Sequence, residues 1–287
     1  MKYSLSSILL FISLSFSSFA HGEETFTIRW AINPSPPFHI VEGPLAGQGM
    51  CDVLIDELKH YMPEVNHSVE LLPHSRIRMH SEQKENLCFP CMIKRNSSPV
   101  WVYSDVTVVH PPLGIIGDRK RLAPYTDAQG RIALAKLAAM PDLRFGRPAA
   151  RAYPPALQAV VEQYDAQPYF FKLSGQMATV RILEQIVLDR LDYTLEYPTI
   201  LRYYRLTQPS RGLQYFPTAE LGNNPVPGAI GCTNNTWGNK AISLINTALE
   251  QVLADKDYIN QQDFWQRIDD ENPGTLVQDS ELPNNTP

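Results

Sequence analysis

The sequence lacks several features that would indicate a membrane or a nucleic-acid-binding protein. Beyond residue 20, no run of about 18 uninterrupted apolar residues occurs, so we predict no transmembrane helix. There is also no excess of positive charge, since 25 Lys and Arg residues stand against 30 Asp and Glu, a formal net charge of −5. Binding to nucleic acid therefore has no electrostatic support, and we expect no such partner.

Common catalytic and metal-binding motifs are missing too. The chain contains no Gly-x-Ser-x-Gly elbow, no P-loop and no metalloprotease helix, so we predict no catalytic residue, no cofactor and no enzyme activity. Four histidines lie close in sequence, but their spacings of seven, seven and six residues match no compact pair of metal ligands: His60, His67, His74 and His80. We therefore predict surface histidines and no metal site.

The composition is that of a globular protein. Hydrophobic residues make up 44% of the 287 residues and charged residues 19%, which is enough apolar material for a real core. At about 150 residues per domain, this length accommodates one large domain or two ordinary ones. The 24 prolines are in excess but follow no repeat, which indicates many stiff loops rather than a fibre or a linker.

The amino terminus has the pattern of a cleavable secretory signal. Lys2 precedes an apolar run over residues 8–19, and the small residues Ser18 and Ala20 flank a cleavage site after residue 20. No cysteine follows this site before Cys51, which argues against a lipid anchor. We therefore predict a signal peptide at residues 1–20 and an exported mature chain.

The first half of the mature chain alternates strand and helix patterns. Apolar residues alternate over residues 26–33, a helical stripe extends from Met50 to Tyr61, and a strand follows at 69–72. A short helix is predicted at 75–84. An apolar run at 87–93 completes the order strand, helix, strand, helix, strand, although Pro90 is unusual for a central strand.

The same order recurs with different residues in the second half. Strands are predicted at 143–146, 169–173 and 191–197, with helices between them. Two βαβαβ units imply an α/β fold with two open, doubly wound, mainly parallel sheets. After them come one strand at 229–232 and a long helix through 241–252, which we expect to pack back on the first unit, and residues 269–287 are predicted to be a disordered tail.

Candidate ligand-binding residues follow from this layout, because doubly wound sheets bind ligands beyond the carboxyl ends of their strands. In the first unit these positions include Phe38 and a group of cations suited to a carboxylate: Arg76, Lys94 and Arg95. In the second unit, Glu196 can accept from an ammonium group. The remaining candidates there are an arginine and two aromatic residues that can enclose an apolar part of the ligand: Arg151, Tyr153 and Tyr197.

Several of these segments, taken in order, resemble the polar-amino-acid type (family 3) of periplasmic solute-binding proteins. The segments are Ala-Ile-Asn-Pro-Ser-Pro-Pro-Phe at 31–38, Gly47-Gln48-Gly49 with Asp52, Pro73-His74-Ser75-Arg76, and Tyr103-Ser104-Asp105. The resemblance covers nearly all of residues 25–268. It implies a type II fold of two lobes that close on a small polar ligand through a hinge.

The resemblance also implies a division of the chain and a function. Residues 21–116 and 213–268 would form lobe I, and residues 117–212 lobe II. A monomeric periplasmic protein would then capture an anionic or zwitterionic, amino-acid-like ligand and deliver it to an inner-membrane ABC permease. Two alternatives are a subunit that reports ligand to a membrane sensor receptor, and a small lyase or dehydratase with Glu196 as its acid–base group.

The chain departs from the family pattern at the expected ligand contacts. Where family members that bind amino acids have a threonine followed three residues later by an arginine, this sequence has Lys94 and Ser97, which leaves Arg95 as a substitute clamp. Ser35 replaces the usual stacking tyrosine. The family's amine-binding aspartate corresponds to Glu196 or Tyr197. These departures weaken the prediction of an ordinary amino acid as the ligand, whereas the predicted fold does not depend on them.

The four cysteines of an exported chain predict two disulfides, for which three pairings are possible. In a sheet of the family's kind, the return strand ending at Cys232 lies beside the strand with Cys88, and Cys51 begins a helix near Cys91. We therefore favour Cys51–Cys91 and Cys88–Cys232. A redox pair at Cys88 and Cys91 is the alternative, but a thiol oxidoreductase requires the first cysteine to open a helix.

Overall fold

The computed structural model describes residues 25–149, 151–175, 177–208 and 212–267. The predicted signal peptide and the predicted disordered tail both lie outside these residues. Within them, no helix is long and apolar enough to cross a membrane.

The described chain forms ten strands and nine helices, together with a short 3-10 turn. The strands are β1 Thr27–Ile32, β2 Asn66–Leu71, β3 Cys88–Ile93, β4 Trp101–His110, β5 Gly114–Asp118, β6 Phe145–Pro148, β7 Phe170–Leu173, β8 Tyr193–Glu196, β9 Leu213–Pro217 and β10 Val226–Thr233. The helices are α1 Met50–Tyr61, α2 His74–Glu82, α3 Arg119–Leu122, α4 Leu134–Ala138, α5 Pro155–Tyr164, α6 Ala178–Val187, α7 Pro198–Thr207, α8 Thr236–Val252 and α9 Lys256–Gln266.

The first sheet has the strand order β2-β1-β3-β10-β4, with β10 running against its neighbours. Side chains alternate between its faces because successive residues of a strand point to opposite sides. Ile28 and Trp30 of β1 pack in a core with α1 and α8, whereas Ala31 packs with Ile77 of α2 on the other face. Both faces are therefore covered by helices, as predicted for a doubly wound sheet.

The second sheet repeats this arrangement in the order β7-β6-β8-β5-β9, with β5 reversed. Its strands β6, β7 and β8 are the parallel set predicted for the second unit. The chain changes sheet between β4 and β5 and again between β9 and β10. The predicted boundaries of lobe II, after residues 116 and 212, cut through β5 and exclude β9. In the structure, β5 and β9 pair with each other in the second sheet, so both strands belong wholly to lobe II.

Pro90 is accommodated by an irregularity in the ladder between β3 and β10. The register shifts between Ala229 and Gly231, opposite Pro90 and Cys91, and Cys91 takes a left-handed backbone conformation with φ 61°. A bulge of this kind removes the need for an N–H at the proline, so the strand keeps a central place in the sheet.

The cysteines pair as the sequence favoured. Cys51 at the start of α1 is bonded to Cys91, with Cα atoms 6.0 Å apart, and Cys88 is bonded to Cys232 across the β3–β10 ladder, with Cα atoms 4.0 Å apart. Both bonds therefore lie in lobe I, and the alternative of a Cys88–Cys91 redox pair is wrong.

The final helix α9 ties the two lobes together on one side. Trp265 and Gln261 each donate a hydrogen bond to the Gln48 carbonyl oxygen, at 2.9 and 2.8 Å, before α1. The Trp265 ring also packs on Tyr203 of α7 in lobe II, with ring centroids 6.2 Å apart. Helix α9 therefore contacts both lobes.

Candidate functional site

The carboxyl ends of strands from both sheets meet where the lobes face each other. Phe38 comes from the loop after β1, His110 ends β4, and Tyr197 directly follows β8. The Phe38 ring meets His110 and Tyr197 edge-on, with centroid separations of 5.7 and 6.3 Å, and the His110 and Tyr197 centroids are 5.4 Å apart. Three aromatic rings from two lobes thus form one cluster, which we call the interlobe aromatic cluster.

Burial sets the charge of this cluster. His110 is almost completely buried, and burial lowers its pKa to about 4, so the ring is neutral at ordinary pH. Burial also raises the pKa of Tyr197 to about 12, with Arg151 opposing and Glu196 reinforcing the rise. The cluster therefore presents neutral aromatic and hydroxyl groups to its surroundings.

A buried ion pair lies beside the aromatic cluster. Glu196, the last residue of β8, has no exposed surface and accepts two hydrogen bonds from Arg151, from Nε at 3.1 Å and from Nη2 at 2.5 Å. The Arg151 guanidinium lies 5.9 Å from the centroid of the Tyr197 ring. Although burial opposes it, the Glu196 carboxylate raises the pKa of Arg151, so the pair holds two opposite charges that cancel.

Several buried hydroxyl groups near this pair have no hydrogen-bond partner among the described residues. They belong to Tyr153, Tyr197 and Thr199, and Nδ1 of His110 is likewise unbonded. Burial, followed by the charge of Glu196, raises the pKa of Tyr153, so its hydroxyl keeps its proton. Unbonded buried atoms also occur elsewhere in the described residues, but these four lie on residues at or directly after strand ends of the two lobes, or in the loop and first helical turn beside them. Since buried polar groups are normally hydrogen-bonded, each of them calls for a partner.

The cations predicted from lobe I are placed differently. Arg76 and Arg95 are exposed, and neither side chain forms a hydrogen bond or ion pair with a described residue. Lys94 is half-buried and lies 3.8 Å from Asp105 of β4. The structure thus brings Phe38, Glu196 and Tyr197 together with Arg151, whereas none of the three lobe I cations forms a hydrogen bond or ion pair with a described residue of that group.

Two residues of this region were missed by sequence reasoning. His110 falls at the end of a strand that periodicity did not assign, and only its place before Pro111 and Pro112 marks it as a strand end. Thr199 lies in the first turn of α7, after Pro198. A proline at the first helical position is a recognised helix-start signal and was available in the sequence.

Among the described residues, no group of three or more His, Cys, Asp and Glu side chains is arranged to hold a metal ion.

Comparisons with known proteins bear on the fold. No family model and no curated protein sequence matches the chain. Solved structures do match, and each of three covers 83 or 84% of this chain. A Listeria monocytogenes protein described as an L-cystine ABC transporter is 16% identical, with a TM-score of 0.62 and 96% of its chain covered.

The other two structures are related in the same way. An ancestral arginine-binding protein bound to arginine is 14% identical, with a TM-score of 0.60 and 97% of its chain covered. An extracellular-binding protein described as part of an amino-acid ABC transporter of Bacillus subtilis is 16% identical, with a TM-score of 0.59 and 98% of its chain covered. Together with the two matching sheets, these similarities show that the chain has the two-lobe, type II periplasmic-binding-protein-like fold.

Proposed function

We propose that the protein is a periplasmic solute-binding protein that encloses a small polar, amino-acid-like solute between its lobes and delivers it to an ABC permease. The observation that carries this proposal is the group of unbonded polar atoms on Tyr153, Tyr197, Thr199 and His110, buried at the lobe interface. Such groups are costly unless something pairs with them, at about 1–3 kcal/mol each. A polar solute between the lobes would supply the missing partners.

The surroundings of these atoms suit a solute with an apolar part as well. Phe38 and Tyr197 come from different lobes and meet edge-on, so a molecule bound beside this ring contact would touch both lobes and favour the closed arrangement. A ligand that contacts both lobes binds the closed form more tightly than the open form. It therefore shifts the equilibrium between the two forms toward the closed one, by as much as its two affinities differ. Capture and release then require no covalent chemistry.

A screen of ligands by thermal denaturation tests the proposal directly. The mature protein is heated with amino acids, organic acids, short peptides and sugars. A true ligand adds RT ln(1 + [L]/Kd) to the free energy of unfolding and so raises the melting temperature. The hit is then titrated by calorimetry against the wild type and Tyr197→Phe, which removes only the unbonded hydroxyl. We expect weaker binding by the variant, and equal affinity would contradict this placement of the solute.

Small-angle scattering provides the second test, because a bridging ligand should reduce the radius of gyration. A saturating ligand that leaves the radius unchanged would argue against lobe closure. Turnover of the bound molecule would instead favour the lyase alternative. Capture of the closed form by membranes carrying a permease, as opposed to a receptor, separates delivery from sensing.

A further inference from the structure

We propose that Arg151 is a built-in occupant of a cation-binding subsite in lobe II, where it takes the place that a cationic group of a solute would otherwise take. The consequence for specificity rests on the proposed function: the solute presents a hydrogen-bond acceptor, such as a carboxylate or carbonyl, to Arg151. The occupancy itself does not depend on that function.

The subsite is formed by Glu196 and Tyr197. A carboxylate with no exposed surface is costly unless a cation pairs with it, and an aromatic face adds further attraction for a planar cation. Arg151 satisfies both, with two hydrogen bonds to Glu196 and its guanidinium 5.9 Å from the Tyr197 ring centroid. These are the contacts that a guanidinium or ammonium ligand would make.

Arg151 reaches this position from a loop, whereas Glu196 belongs to the sheet. Arg151 lies between β6 and α5, and its side chain keeps 22% of its surface exposed while the Glu196 side chain keeps none. The carboxylate is therefore a fixed part of lobe II, and its partner enters from the outside. Removing the Arg151 side chain would leave an anionic cavity bordered by an aromatic ring.

The paired guanidinium still has unused donors. Glu196 takes hydrogen bonds from Nε and Nη2, and Nη1 donates to no described residue. Close by are the unbonded hydroxyls of Tyr153 and Tyr197. Because Glu196 is neutralised and His110 is neutral at ordinary pH, this wall of the interface offers hydrogen-bond donors and no free negative charge. A cationic group is thus disfavoured there, and an acceptor group is favoured.

The test is chemical rescue of Arg151→Ala. The variant should melt below the wild type, and methylguanidinium at about 10 mM, near the millimolar affinity of such a small fragment, should raise its melting temperature saturably. The wild type should show no such rise, because its own guanidinium fills the subsite. If Arg151→Ala does not fold in buffer, the same comparison is made by refolding it with and without methylguanidinium.

Two variants serve as controls. Arg147→Ala removes a guanidinium from the same strand–loop region whose partner is Asp165, at 2.8 Å, and whose loss creates no site beside Tyr197. Arg151→Ala with Glu196→Gln removes both charges. Neither should respond to methylguanidinium, and the double variant should be more stable than Arg151→Ala because no unpaired buried carboxylate is left.

The outcomes are separable from those of the solute screen. Saturable rescue confined to Arg151→Ala supports the occupancy even when no solute has been found. An absence of rescue, or equal rescue of Arg147→Ala, overturns it even when a solute binds. The specificity is checked with arginine as the probe, which should bind Arg151→Ala at least tenfold more tightly than the wild type; equal affinity would overturn that consequence.

Discussion

Strand β8 has a buried carboxylate at each of its ends, and the surroundings of the two differ. Asp192 directly precedes the first residue of β8. Its carboxylate accepts hydrogen bonds from the Arg144 backbone N–H at 2.6 Å and from the Arg144 guanidinium at 3.0 and 3.1 Å. It also lies 2.6 Å from Nη1 of Arg121. Glu196, at the carboxyl end, is held by Arg151 alone, apart from a long contact of 3.4 Å with the Tyr197 N–H.

The difference separates a structural carboxylate from a candidate binding carboxylate. Asp192 joins β8 to the segment before β6 and to α3, and protein groups use both of its oxygens. Although burial opposes it, the hydrogen bonds from Arg144 and the charges of Arg144 and Arg121 lower its pKa. Buried hydroxyls without partners occur near both carboxylates, on Tyr193 beside Asp192 and on Tyr153 and Tyr197 around Glu196. The difference therefore lies in the carboxylates themselves: two arginines and a backbone N–H hold Asp192, whereas one arginine holds Glu196.

The largest expected effect is loss of the Asp192 network. Asp192→Asn keeps the shape but removes the charge that orders two arginines, and we expect about 3 kcal/mol of lost stability, measured by urea denaturation. Solute affinity of the folded variant should equal that of the wild type, because the residue lies at the end of β8 away from the lobe interface. A change in affinity at unchanged stability would reverse the assignment.

Acid should act on His110, in the interlobe aromatic cluster next to Tyr197, and on Asp192 in different pH ranges. His110 has its pKa lowered to about 4 from an ordinary 6.5, so the unfolded chain binds a proton first and stability falls from pH 6.5 down to about 4, by about 3 kcal/mol at most. The contribution of Asp192 is lost only below its ordinary pKa of 3.8, since its pKa is lowered too.

Denaturation curves over pH 3–8 for the wild type and His110→Gln check this. The variant should lose less stability between pH 6.5 and 4, and both proteins should share the loss below that range. The stability of the variant should still fall somewhat with falling pH, because two other histidines have a lowered pKa. Burial lowers the pKa of His67, and burial together with the charge of Arg151 lowers that of His74. Identical slopes for the two proteins would show that His110 is not buried as a neutral ring.

A smaller effect is expected on solute binding from Glu196→Gln. The amide weakens the hold on Arg151, so the guanidinium is less well oriented, and we expect at least a tenfold loss of affinity, about 1.4 kcal/mol. Calorimetry with the solute from the screen measures it. The matched comparison is Asp192→Asn, which should cost more stability but no affinity, and the reverse pattern would contradict the distinction between the two carboxylates.

The smallest effects are expected at the exposed cations of lobe I. Arg76→Ala and Arg95→Ala should each change the free energy of unfolding by no more than about 0.5 kcal/mol, as is usual for surface positions. Their effect on solute affinity should be smaller than that of Glu196→Gln and should fade with added salt. A large, salt-independent loss of affinity would place the main anion contact in lobe I instead.

Much of the architecture was predictable because it depends on local patterns. The stripe from Met50 to Tyr61 and the alternation of β1 read directly as a helix and a strand, and repetition of the pattern implied two sheets. The positions of β5 and β9 were not predicted, because neither strand belongs to the repeated strand–helix order and their pairing with each other joins residues distant in the chain. The boundaries of lobe II in the structure therefore lie a few residues away from the predicted ones.

The candidate site was predictable as a set of strand ends but not as a set of contacts between side chains. Position alone put Arg151, Glu196 and Tyr197 among the candidates, because residues at the carboxyl ends of parallel strands share one edge of a sheet. It also put Arg76 and Arg95 there, which the structure leaves exposed. Pattern reasoning cannot tell which of two neighbouring charges faces a ligand and which faces another side chain.

The sequence by itself thus determined the two α/β units, the residues that lie at the ends of their strands, and the four cysteines that can form disulfides. Folding in three dimensions established that Arg151 and Glu196 neutralise each other, that His110 is buried and neutral, and that hydroxyl groups beside them are unbonded. The reason is physical: periodicity and turn signals act over a few residues, whereas burial and charge pairing act between residues that are distant in the chain. Arg151 and Glu196 are separated by 45 positions.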